Sequence, residues 1–142
     1  MKRYLGLDMG TRRIGVAVSD PLGSFAQGVA VLKAEGDWMN ELDALVKKYK
    51  VSVIVVGMPT RTSGTAGPEA ERAESTRRDL AERYPDLEVT AWDERFTTVR
   101  ARQALLEGDV SRKGRKSRVD MVAASILLQD YLDFLRKGGS PG

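Results

Sequence analysis

The sequence predicts a mixed α/β fold: a five-stranded mixed sheet with the first strand central and helices on both faces. Three observations carry the prediction. The stretch LGLDMGTRRIGVAVSD holds two strand-like runs joined by a short turn, the pattern of an antiparallel hairpin. VSVIVVG is a continuous β-branched run of the kind found in strands covered on both faces, and it follows a helical segment as a parallel crossover strand would. From that point helical and strand patterns alternate, which is the order of right-handed crossover units.

Taken in order, RYLGLDMG is the first strand and TRR the turn. In IGVAVSD the larger Ile14, Val16 and Val18 alternate with the smaller Gly15, Ala17 and Ser19. After PLGS, FAQGVAVLKA completes an antiparallel meander. Asp37 is placed to cap a helix running to about Lys50, with Trp38, Leu42, Leu45, Val46 and Tyr49 on one stripe. VSVIVVG is the fourth strand, and MPTRTSGTAG is a loop rich in turn formers. Pro68 suits the first turn of a helix reaching about Tyr84, and LEVTAWD is the fifth strand. Thr97 or Thr98 caps a short helix to Glu107, after which GDVSRKGRKS, with no apolar anchor beyond Val110, is expected to be a mobile loop. Ser117 then caps the last helix, SRVDMVAASILLQDYLDFLRK, and GGSPG frays. The expectation is a single domain over residues 1–137 and a flexible tail over 138–142.

The chain has 142 residues, 42% of them apolar and 30% charged, ordinary for one soluble globular domain. It contains no cysteine and no histidine. That excludes a disulfide, a thiolate zinc site, a cysteine nucleophile and the commonest general base. Any catalysis must rest on carboxylates, lysines, hydroxyls or a carboxylate-bound metal. The N-terminal apolar run is too short for a signal peptide and no segment has the length of a membrane span, so a cytoplasmic protein with no membrane partner is expected. The formal charge is only +3, yet between Arg95 and Arg118 eight basic residues face only Glu107 and Asp109. A local excess of that kind reads either as a solvated face or as a phosphate-contacting surface.

Three acidic positions stand out. Asp8 ends the first strand, Asp93 and Glu94 end the fifth, and both strand ends belong to the C-terminal edge of the parallel part of the sheet, where sites form. Asp120 falls in the middle of the apolar side of the last helix, among Ala123, Ala124, Leu127, Tyr131 and Phe134. Each has a structural explanation. Asp8 before a glycine turn suits an Asx-turn, acids ahead of a helix complement its dipole, and Asp120 is the fourth member of a capping-box-like S-x-x-D. The alternative is that all three point at a cation. Oxygen ligands without imidazole or thiolate favour Mg²⁺ or Mn²⁺, and two such ions hydrolyse phosphodiesters without a histidine.

LGLDMGTRRIGVAVSD, VVGMP followed by SGTAG, DERFTT and VDMVAASILLQDYL, in that order, resemble the YqgF/RuvX family, the Holliday-junction-resolvase-like proteins also described as pre-16S rRNA nucleases. The resemblance runs from about Leu5 to Leu135. It implies an RNase H-like fold with sheet order 3-2-1-4-5 and a metal-dependent nuclease whose acids would here be Asp8, Glu94 and Asp120. It further implies a cytoplasmic role in maturing the 5′ end of 16S rRNA. One departure concerns the fourth strand, where wider RNase H-like nucleases commonly carry an acid; here it ends Gly57-Met58-Pro59. The fifth strand lies two strand spacings from the first, roughly 9–10 Å, and the longer reach of glutamate favours Glu94 over Asp93.

Arg12, Arg13, Arg95, Lys113, Arg115 and Lys116 are candidates for holding a nucleic-acid backbone. MPTRTSGTAG offers backbone amides to a phosphate but lacks the Walker A pattern. The function expected is hydrolysis of phosphodiester bonds in structured RNA. The alternatives are a resolvase of Holliday junctions or other branched DNA, for which a homodimer rather than a monomer would be required, and a non-catalytic RNA-binding assembly factor. A nucleotide binder with two lobes closing on ATP is a further class, and a chain of this length has room for one lobe.

Overall fold

The computed structural model describes residues 2–10, 12–58, 68–93 and 112–138, with the backbone alone considered at 68–70 and 112–120. Strands β1 (Tyr4–Met9), β2 (Arg13–Ser19) and β3 (Ala26–Lys33) form the meander, followed by helix α1 (Trp38–Tyr49), β4 (Val53–Met58), α2 (Pro68–Arg83), β5 (Glu88–Asp93) and α3 (Arg112–Arg136). The five strands make one sheet in the order β3-β2-β1-β4-β5. β1 pairs antiparallel with β2 and parallel with β4, and β4 pairs parallel with β5. The central place of the first strand is as the sequence pattern predicts, and the full order is the one the family resemblance implies.

Alternation along the strands divides the core in two. Leu5, Leu7, Ile14, Val16, Ile54 and Val56 pack with Leu42 of α1 and with Ala73 and Leu80 of α2. Ala17, Val53, Val55 and Trp92 pack on the other face with Ala124, Leu127, Leu128, Tyr131 and Leu132 of α3. β4 is buried along nearly its whole length because both faces are covered, which is the physical meaning of its unbroken β-branched run.

α3 crosses the sheet obliquely, and glycines let it come close. A Cβ on Gly28 of β3 would lie 2.7 Å from the Met121 carbonyl, one on Gly6 of β1 would lie 3.0 Å from Leu128 Cβ, and one on Gly57 of β4 would lie 2.8 Å from Leu127 Cδ1. Further along, Tyr131 meets Trp92 of β5 edge-on at 5.6 Å between ring centroids.

The start of α3 corrects the sequence reading. The helix begins at Arg112, not after Ser117, so the second half of the expected GDVSRKGRKS loop is helical and Ser117 is not an N-cap. Arginine and lysine are good helix formers, and one glycine costs only about 1 kcal/mol in an interior, so a helix anchored downstream by its apolar face extends back through RKGRK. At α1, Asp37 holds the cap position without a side-chain bond to the helix backbone; its Oδ2 accepts from Asn40 Nδ2 instead, at 2.5 Å. The short helix expected to end at Glu107 lies outside the described residues, as do residues 108–111 and 139–142.

Candidate active site

Asp8 stands near the C-terminal end of β1, half-buried and in register with Gly15 of β2. Since Leu7 belongs to the α1/α2 side of the sheet, strand alternation puts Asp8 on the α3 side. The usual donor of an Asx-turn is engaged elsewhere. Such a turn would use the Gly10 N–H, two residues on, and that group donates to the Arg13 carbonyl at 3.0 Å.

The turn after Asp8 is tightly built. A Cβ at Gly10 would lie 2.4 Å from the Arg13 carbonyl oxygen, so no side chain fits there. The Arg12 carbonyl accepts from the Ala34 N–H at 2.9 Å. The Gly10 carbonyl accepts from Arg72 Nη1 of α2 at 2.6 Å, a charge-assisted bond between residues 62 apart. Sequence reasoning missed Arg72, because nothing in the polar face of α2 marks one of its several arginines as reaching the first turn.

β4 and β5 extend the same edge. Their register is regular, with Gly57 opposite Trp92 and Met58 opposite Asp93. Trp92 belongs to the α3 side, so Asp93 falls on the other side, with Met58. Asp8 and Asp93 therefore lie on opposite faces. At the end of β4, Leu127 of α3 occupies the space that a side chain at Gly57 would need.

Asp120 lies eight residues inside α3, more than two turns from its start at Arg112, and one turn before the fully buried Ala124. It is not in a capping box, because the first turn of α3 contains neither it nor Ser117. Glu94 and Arg95 lie outside the described residues, as does most of MPTRTSGTAG. Arg12 is exposed in the first turn and Arg13 half-buried at the start of β2. Lys113, Arg115 and Lys116 occupy the first two turns of α3 rather than a loop. Among the described residues no three acids gather as a metal-binding group, and no helix is long and apolar enough to cross a membrane.

A family model described as "RuvX: Holliday junction resolvase" matches residues 2–134. Proteins named "Putative pre-16S rRNA nuclease" from Clostridium kluyveri and from Clostridium botulinum strain Hall are each 47% identical over 137 residues, which covers 95% of this chain and 99% of theirs. Among solved structures, T. thermophilus RuvC in complex with a Holliday junction substrate aligns over 100% of both chains with a TM-score of 0.56 and 13% identity. The yeast mitochondrial Holliday junction resolvase Ydc2 aligns over 96% of this chain and 80% of its own, with a TM-score of 0.58 and 15% identity. At those identities the structural likeness is one of fold.

Proposed function

The chain belongs to the RuvX family and has an RNase H-like fold, and on that premise we propose that it is a divalent-metal-dependent nuclease that cuts the precursor of 16S rRNA near its 5′ end in the cytoplasm. The observation that carries the reading is the near full-length 47% identity to relatives named as pre-16S rRNA nucleases. The placement of Asp8 on a strand end, beside a built turn and on the α3 face of the sheet, supports it.

We assign Asp8, Glu94 and Asp120 as the acids. Asp93 is set aside because alternation along β5 gives it the face opposite Asp8. Asp120 keeps its place because its structural alternative, a capping box, needs a helix start that α3 does not have. The donor set suits Mg²⁺ or Mn²⁺, since a chain without histidine or cysteine has only carboxylates as anionic side-chain ligands of that kind. When bound, a pair of such ions supplies activation of the attacking water and stabilisation of the leaving oxygen. The residues' own work is to hold oxygen ligands at the strand edge and to keep the nucleic acid in register, the latter through Arg12, Arg13, Arg95, Lys113, Arg115 and Lys116.

The test is cleavage of end-labelled 16S rRNA precursor and of a four-way DNA junction, with Mg²⁺, Mn²⁺ or EDTA, comparing wild type with Asp8→Asn and Asp120→Asn. Metal-dependent cutting of the RNA that both variants lose is the expected result. The family's description as a Holliday junction resolvase favours one second reading, a resolvase, and preferential cutting of the junction by a dimer would select it. Nucleic-acid binding without metal-dependent cutting would replace both with a non-catalytic assembly factor.

A further inference from the structure

We propose that Arg72 is a positioning residue for Asp8: by holding the Gly10 carbonyl it sets the turn that fixes the end of β1, and thereby the carboxylate's aim at the metal ions. The proposal rests on the nuclease reading above. Its geometry is independent of that reading.

Arg72 sits beside Ala73, which is fully buried, and one turn before Thr76, which is nearly so. The helix backbone from which the guanidinium extends is thus anchored against the sheet. Its Nη1 meets the Gly10 carbonyl at 2.6 Å in a half-buried setting, where a charge-assisted bond is stronger than one in open water. Only Met9 separates that carbonyl from Asp8. The opposite side of the turn is held by Ala34 on the Arg12 carbonyl and by Gly10 on the Arg13 carbonyl. A Cβ at Gly10 would stand 2.4 Å from the Arg13 oxygen, so the position accepts only glycine. The arginine is the one tie among them that comes from α2.

Two other roles are open to such an arginine, a direct phosphate contact and plain tertiary stapling, and they leave different traces. A phosphate contact acts on substrate affinity and its salt dependence. A staple acts on global stability. A positioning residue acts on metal affinity and turnover, because groups that orient ligands typically carry about 10–100-fold in metal affinity.

The experiment compares wild type with Arg72→Ala and Arg72→Lys by three measurements: amide hydrogen exchange in the metal-free protein, Mn²⁺ binding by water-proton relaxation, and cleavage kinetics. Expected for Arg72→Ala are faster exchange at Gly10 with unchanged exchange at Leu5 and Val55, Mn²⁺ affinity weaker by about tenfold or more, and a lower kcat at unchanged KM and salt slope. Arg72→Lys, which still offers a cationic donor, should recover part of each loss. The proposal is overturned by a raised KM and shallower salt slope with Gly10 exchange unaltered, by exchange that rises across the core strands alike, or by variants that match wild type throughout. A wild type that neither holds Mn²⁺ nor cuts sinks the nuclease reading and this role with it; a competent wild type with unaltered variants sinks this role alone.

Discussion

Gly57 of β4 lies directly beneath Leu127 of α3, so close that a Cβ on the glycine would stand 2.8 Å from Leu127 Cδ1 and 3.3 Å from the Leu7 carbonyl oxygen. The contact leaves little room for any side chain at this position of β4. α3 is packed onto the level of the sheet where a fourth-strand carboxylate would project.

The consequence is measurable. Gly57→Asp should destabilise by about 1–3 kcal/mol or more through overpacking, with the buried charge adding to the cost. Urea unfolding reads the loss directly. A variant as stable as wild type would mean that Leu127 yields its place readily.

Ser117 lies inside α3 rather than at its start. Ser117→Ala should therefore change stability by no more than about 0.5 kcal/mol, whereas loss of a true N-cap costs typically about 1 kcal/mol. Thermal unfolding of this single variant separates the two. A cap-sized loss would restore the capping box and weaken the assignment of Asp120.

Tyr131 is 1% exposed, and its hydroxyl has no hydrogen-bond partner among the described residues. Burial, then the nearby Glu88 and Tyr4, pushes this phenol up to about 12, so it stays neutral. Its ring packs against Trp92 and Tyr4, contacts that phenylalanine would keep. Tyr131→Phe should leave stability unchanged or raise it by about 1 kcal/mol, since it removes an unpaired buried hydroxyl. A clear loss in the melting temperature would reveal a partner for that oxygen.

Asp43 of α1 ties this helix to the end of α2. The Arg83 guanidinium, bonded through Nε at 3.0 Å and Nη2 at 2.5 Å, and then the Tyr84 hydroxyl hold its carboxyl down to about 2. A depressed carboxylate stabilises the fold above its unfolded value, near 3.8, and loses that contribution as the pH falls towards 2. The paired side chains are 34% and 38% exposed, so solvent screens much of the effect. Asp43→Asn should lower the melting temperature by about 2–4 °C at pH 7, and the gap from wild type should narrow between pH 4 and pH 2. A gap that does not depend on pH would assign the loss to packing.

Lys113, Arg115 and Lys116 lie in the first two turns of α3 instead of in a loop, so their spacing relative to one another is set by a helix. Replacing all three by glutamine should weaken nucleic-acid binding and reduce the salt slope by about 0.7–0.9 for each phosphate that is no longer neutralised. An unchanged slope would remove this segment from the binding surface.

The residues themselves determined much of this protein. Period-two alternation in IGVAVSD, the two-sided apolar run VSVIVVG and the helical stripe of LLQDYL are local consequences of which faces are buried, so the strands, the central place of the first and the two-faced core were legible before any coordinate, while the full sheet order came only with the family resemblance. The exclusion of histidine and cysteine chemistry was equally a matter of composition. What tertiary structure alone decided lies where distant segments meet. The Gly10 N–H that an Asx-turn at Asp8 would use is taken by the Arg13 carbonyl. The capping reading of Asp120 fails because α3 starts at Arg112, extended backward by downstream packing that local propensity does not record. Register across β4 and β5 put Asp93 on the face away from Asp8, and Arg72 reaches Gly10 across 62 residues. A hydrogen bond depends on where two groups are in space, and a one-dimensional pattern constrains that only through the fold it produces.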